Sequence, residues 1–285
     1  MTTIEPLQPA RSAVFFGEVR KLSAFLRRDF LVAWSYRMNF VTDWVGLLVQ
    51  AILFSFVGKL IDPSTMPSYN GTQATYMEFV AIGISLSVFV QIGLRSVSAG
   101  LRAEQLMGTL ESLLITPTST TTVQLGSVMY QLVYVPIRTA LFLVLVALVF
   151  GAHFAASGLL PSVLLLVAFI PFIWGIGVAS AAAVLTFRQG AGAFAFGAGL
   201  LTLFSGAYFP LSVMPPWLET IAKLNPMAIA INGMREALIG GSGAVGVGSA
   251  LAVLVPASAV TLGFGVYVFR RAVRRELRRG SLGLY

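Results

Sequence analysis

The sequence contains no cysteine and a single histidine, His153. Disulfides, thiolate metal sites and lipid attachment through sulfur are thereby excluded. Charge is also scarce: 11% of the 285 residues are Asp, Glu, Lys or Arg, whereas a soluble domain carries about 25%. No GxxxxGK[ST] loop is present to cradle nucleotide phosphates, and neither HExxH nor GxSxG occurs. A lone histidine in a turn is an ordinary structural or surface residue. The sequence therefore argues against an enzyme and against any metal or cofactor held by this chain.

Apolar residues are what the chain has in abundance. They make up 57% of it, and mean hydropathy is +0.86. About 20 apolar residues suffice to cross a bilayer, and six stretches qualify, roughly 39–61, 76–98, 124–150, 160–186, 191–211 and 246–269. The sequence predicts an all-α polytopic membrane protein: residues 1–38 as an N-terminal part, 39–269 as one six-span domain and 270–285 as a basic tail.

The net charge of +8 would suggest nucleic acid in a soluble protein. Here the cations collect at the two ends. Arg11, Arg20, Lys21, Arg27, Arg28 and Arg37 precede the first span, and Arg270, Arg271, Arg274, Arg275, Arg278 and Arg279 follow the last. Positive charge marks the cytoplasmic side, so both ends are expected inside a cell membrane, with no nucleic-acid partner. The first fourteen residues include Glu5, Pro6, Pro9 and Arg11 without an apolar core, so no cleavable leader is expected.

Between the spans, three stretches have patterns of their own. Residues 15–37 place Phe15, Val19, Leu22, Leu26 and Phe30 on one helical face and Arg20, Lys21, Arg27 and Arg28 on the other, which reads as an amphipathic helix in the interface. The loop 62–75 carries no Lys or Arg and is assigned outside; its Asn70-Gly71 is read as a turn rather than a glycosylation site. Residues 212–245 are broken by Pro215-Pro216 and Asn225-Pro226 into pieces too short to cross, and read as short re-entrant or interfacial helices with Trp217 at head-group depth. Within the spans, Asp43 and Glu78 sit near ends, while Arg138 lies deeper beside Pro136 and needs an acceptor from a neighbouring span.

The stretch 102–117, RAEQLMGTLESLLITP, interrupts the apolar runs with a helical pattern. Leu106, Leu110, Leu113 and Leu114 fall on one face; Glu104, Gly108 and Glu111 fall on the other. Thr116-Pro117 stops it. On pattern alone this is either a plain connector or a docking element for a cytoplasmic partner.

Two motifs carry a resemblance. GTLESLLITP at 108–117 resembles the cytoplasmic motif between spans two and three of ATP-binding-cassette type-2 permeases. SGAYFPLSVMPPWLETIAKLNPMAIAINGMREAL at 205–238 is similar to the end of the fifth span and the outer helices of that family. The resemblance implies the transmembrane subunit of an ABC exporter of the drug, antibiotic or lipid branch, moving a hydrophobic or amphiphilic substrate. It implies a second permease subunit, identical or homologous, and a separate ATPase that holds ATP and Mg2+. Residues 102–116 would be the coupling helix, with Glu104, Gly108, Thr109, Leu110, Glu111 and Leu114 on the ATPase, flanked by Arg20, Lys21, Arg27 and Arg28. Spans two and five would line the pathway, with Phe89, Gln91, Phe204, Tyr208 and Phe209 as candidates. The alternative is a stand-alone secondary carrier or channel, which needs no ATPase.

Overall fold

The computed structural model describes residues 11–106, 120–187, 191–241 and 244–279. Long apolar runs in lipid must satisfy their backbone groups internally, and the helix does so within one segment. Among the described residues, five helices are long and apolar enough to cross a membrane. They are α2 (Arg37–Gly58), α3 (Tyr76–Leu106), α4 (Thr120–Phe150), α5 (Leu159–Phe187) and α9 (Ala244–Arg279). Ahead of them runs α1 (Arg11–Ser35), and between α5 and α9 lie the shorter α6 (Ala191–Leu203), α7 (Pro216–Lys223) and α8 (Pro226–Leu238).

At the centre stands α3. Its Phe79, Ile82, Ile84 and Leu86 are fully buried together with Leu165 and Phe169 of α5, Ile231 of α8 and Leu254 of α9. The most extensive packing is between α5 and α9. Gly175 and Gly265 let those two backbones touch: a side chain at Gly175 would run into Leu262 and Thr261, and one at Gly265 into the Gly175 carbonyl. Pro171 and Pro256 lie inside the same two helices. Nearby, Ser258 Oγ donates to the Ala168 carbonyl at 2.6 Å and ties the pair together. By contrast α2 leaves Val41, Val45, Val49, Ile52, Leu53 and Phe56 exposed along one stripe.

Asn70-Gly71 forms the predicted turn. Strands β1 (Ser68–Tyr69) and β2 (Thr72–Gln73) pair with Tyr69 opposite Thr72, and both central residues have positive φ, 48° and 81°. The side of the molecule carrying this hairpin is called the hairpin end below, and the opposite side, with α1, the basic end.

The structure departs from the sequence expectations in four places. The helix drawn to begin at Arg102 does not begin there: α3 runs unbroken from Tyr76 to Leu106, because residues 95–106 contain no proline and a single glycine does not break a helix. The stretch drawn as a fifth span over 191–211 is helical only to Leu203. Its 13 residues cover roughly 20 Å against the ~30 Å of a hydrocarbon core, and a turn completes the segment. The last helix does not end at 269 but continues through the basic residues to Arg279. Finally, the amphipathic stretch 15–37 is divided at Tyr36 (φ −97°, ψ 59°), where α1 ends and α2 begins. Phe25 of α1 makes a close contact with Gly126 of α4.

Candidate functional site

The densest polar site gathers around Arg235 at the hairpin end. Its support begins at Asn225-Pro226, where proline suits the first helical turn and Asn225 caps it. Asn225 Oδ1 accepts from Met227 N at 3.0 Å, while Nδ2 donates to the Leu201 carbonyl at 2.8 Å, one of the last carbonyls of α6 that the helix leaves unpaired. So fixed, α8 is buried along most of its length and carries Arg235 into the core, 1% exposed.

Among the described residues no carboxylate pairs with Arg235; carbonyls do the work. Nη2 donates to Phe79 O at 2.9 Å, Gly206 O at 2.9 Å and Ala207 O at 3.3 Å; Nε donates to Phe79 O at 3.2 Å, and Nη1 to Asn232 Oδ1 at 3.3 Å. The guanidinium carbon lies 3.3 Å from the centre of the Phe79 ring, a cation–π contact. Burial lowers the pKa of Arg235 to about 10, with Tyr69 acting in the opposite direction, so the group remains charged at neutrality. A charge without such partners would be strongly destabilising here. One side chain thus joins the first turn of α3 to the turn after α6.

Two glycines make that junction possible. Gly206 has φ 71°, a conformation that favours glycine, and offers its carbonyl to Arg235. Gly83 lies directly under Ala207, whose carbonyl would collide with any β-carbon there.

Glu78 extends the same knot. Thr75 and Glu78 form a capping box: Glu78 N donates to Thr75 Oγ1 at 3.3 Å and Thr75 N donates to Glu78 Oε2 at 2.9 Å. The other oxygen accepts from His153 N at 2.7 Å, pinning the α4–α5 loop. Glu78 is 5% exposed, so the neighbouring segments enclose it. Ala155 N donates to Leu238 O at 2.7 Å, Ser157 Oγ to Gly241 O, and Tyr76 Oη to Tyr208 O at 3.2 Å.

The other sequence candidates fall in different surroundings. Phe89 is buried in the core, whereas Gln91, two positions on and roughly 200° around the helix, is exposed. The two do not share one wall. Phe204, Tyr208 and Phe209 are half-buried in the turn after α6, and Tyr208 stacks on Phe54 of α2 at 5.6 Å. At the basic end, Arg138 of α4 is 6% exposed. Its Nη2 reaches the Asp43 carbonyl at 3.4 Å and the Asp43 carboxylate at 3.7 Å, and Nε has no partner among the described residues.

Arg28 on α1 bonds Asp29 at 2.8 Å and lies 5.1 Å over Phe25, while Arg27 faces a groove against α4. Arg20 and Lys21 belong to α1 and Glu104 to α3, but their side chains lie outside the described residues. Gly108, Thr109, Leu110, Glu111 and Leu114 lie outside them altogether. Among the described residues no cluster of His, Asp or Glu could hold a metal.

Sequence reasoning used Arg235 as a landmark only. The signal was available: MAIAINGMREAL at 227–238 is an apolar, small-residue helix with a single cation, and a charge in such a segment needs partners.

The family model for ABC-2 type transporters matches residues 20–239, from within α1 to just past α8. No curated protein matches the chain.

Proposed function

The chain belongs to the ABC-2 type transporter family, a permease component of an ABC transporter, and on that premise we propose that it is the transmembrane half of an exporter driven by a separate ATPase. The family match over residues 20–239 carries this reading. In it, residues 102–116 are the coupling segment, with Glu104, Gly108, Thr109, Leu110, Glu111 and Leu114 seated on the ATPase. Arg20, Lys21, Arg27 and Arg28 flank it, and ATP and Mg2+ are held in the ATPase. The basic end is cytoplasmic and the hairpin end outside. A second permease subunit, identical or homologous, completes the pathway, and the exposed apolar stripe of α2 is available to it or to lipid.

The mechanism follows from α3. This helix of 31 residues, roughly 46 Å long, starts at the Arg235 knot and ends at Leu106, inside the proposed coupling segment. ATP binding favours one arrangement of the ATPases, and it shifts the permease only through contacts that differ between two states. A stiff helix carries displacement from the coupling segment to the junction between α3 and the turn after α6. Phe204, Tyr208 and Phe209 are in that turn. With the exposed Gln91 of α3 they form the proposed lining, whose apolar and aromatic character suits a hydrophobic or amphiphilic cargo, while Phe89 packs in the core behind it.

The test is reconstitution of the permease, with and without a candidate ABC ATPase, in vesicles loaded with fluorescent amphiphiles. Export that requires both the ATPase and ATP supports the reading. Movement that needs only an ion gradient would make the chain a secondary carrier.

A further inference from the structure

A groove of about 620 Å³ opens between α1, the first turns of α2 and the basic-end part of α4. That lies within the ~300–1,000 Å³ of small-ligand sites. Two stacked aromatic pairs form its opposing walls: Phe30 and Trp34 of α1, with ring centres 6.2 Å apart, and Tyr130 and Tyr134 of α4, 5.3 Å apart. Phe30 and Trp34 remain 53% and 64% exposed, so the walls are built but not covered.

Two cations complete the lining, Arg27 and Arg37, and no acidic residue does. Arg37 is held over the Trp34 ring at 5.7 Å, which fixes a positive charge beside the apolar wall. Neither arginine has a carboxylate partner among the described residues; the acid nearest Arg27 in sequence, Asp29, is bonded by Arg28, and the one nearest Arg37, Asp43, faces Arg138. Val41, Val133 and Ile137 on the groove belong to stretches apolar enough to cross a membrane, whereas Ser23 and Arg27 do not. The groove therefore straddles the boundary between hydrocarbon and head groups, the depth at which tryptophan and tyrosine gather and basic side chains attract anionic lipid.

We propose that this groove is a binding site for one anionic phospholipid of the leaflet on the α1 side. An acyl chain lies against the aromatic and valine walls, and the phosphate is held by Arg27 and Arg37. The lipid fills the space between α1 and α4 and so sets how firmly α1 is held against the bundle. The inference rests on the membrane placement of α2 and α4, and it gives Arg27, placed above beside the ATPase, a lipid contact as well.

The experiment uses the full chain in nanodiscs of phosphatidylcholine, with Trp44, Trp174 and Trp217 replaced by phenylalanine so that Trp34 alone fluoresces. Dibrominated phosphatidylglycerol, added at increasing mole fraction, is expected to quench Trp34 saturably at fractions where dibrominated phosphatidylcholine quenches it weakly. Arg27→Gln and Arg37→Gln should each raise the half-quenching fraction about fivefold. Native mass spectrometry of the chain with all tryptophans present should give the same order, with phosphatidylglycerol retained by the wild type and lost from Arg27→Gln/Arg37→Gln. Equal quenching by the two lipids, or variants that behave as wild type, would overturn the proposal. So would protection of Trp34 from both lipids in a dimeric preparation, which would assign the groove to a second copy of the chain.

Discussion

Two buried arginines show how differently the two ends of this protein are held. Arg235, at the hairpin end, donates to three backbone carbonyls and one side-chain oxygen, and an aromatic ring covers it. Arg138, at the basic end, reaches Asp43 only at 3.4–3.7 Å, and the Asp43 side chain is 53% exposed. One charge is locked by short bonds to groups far apart in sequence; the other is loosely held by a neighbour that is itself half exposed. The hairpin end is thus built to keep one arrangement. The basic end, with its open groove and lightly paired charge, is built to change partners, and that is where the proposed ATPase and lipid meet the chain.

Breaking the locked arginine should have the largest effect. Arg235→Ala strands the carbonyls of Phe79, Gly206 and Ala207 in the core, and hydrogen bonds to a charged group contribute about 1.5–3 kcal/mol each. Loss of more than about 3 kcal/mol, or failure to assemble, is expected in thermal unfolding of the detergent-solubilised protein. Arg235→Lys keeps the charge without the planar fork and should recover only part of that. A lysine variant as stable as wild type would mean that charge alone matters and that the fork geometry does not.

Gly83→Val attacks the same junction from the α3 side. Its side chain meets the Ala207 carbonyl, and overpacking of this kind costs about 1–3 kcal/mol. The variant sharpens the comparison if it also lowers transport beyond what lost stability explains, since it forces α3 away from the turn after α6. An unaltered unfolding temperature would show that the junction yields easily, contrary to the account.

Asp43→Asn should do least. The backbone carbonyl that Arg138 uses remains, and at 3.7 Å the carboxylate lies beyond hydrogen-bond distance, so little direct contact is lost. A shift in stability as large as that of Arg235→Ala would erase the distinction between the two ends.

Much of this architecture was legible because it follows from local chemistry. Apolar runs gave the long helices, Asn70-Gly71 gave the hairpin, and the two proline breaks gave α7 and α8. What was not legible depends on distant partners. The end of α6 at Leu203 precedes a turn whose Gly206 and Ala207 are placed by Arg235 and by the notch at Gly83. Hydropathy continues smoothly through that turn and gives no warning of it. Arg235 was given no role of its own, because its acceptors are 156 and 29 residues away in sequence. Phe89 and Gln91 were grouped as span-two lining from the family resemblance, although helical geometry sends them to different sides.

The most direct test of the central claim, that an ATPase works this permease through residues 102–116, is ATPase binding and ATP-dependent export by the Glu111→Ala variant in vesicles. A carboxylate that accepts a charge-assisted hydrogen bond contributes about 1.5–3 kcal/mol, which is roughly a ten- to hundredfold change in affinity. The account predicts a folded, inserted permease with ATPase affinity weakened by that much and export reduced in step. Full export with unchanged ATPase affinity would contradict it.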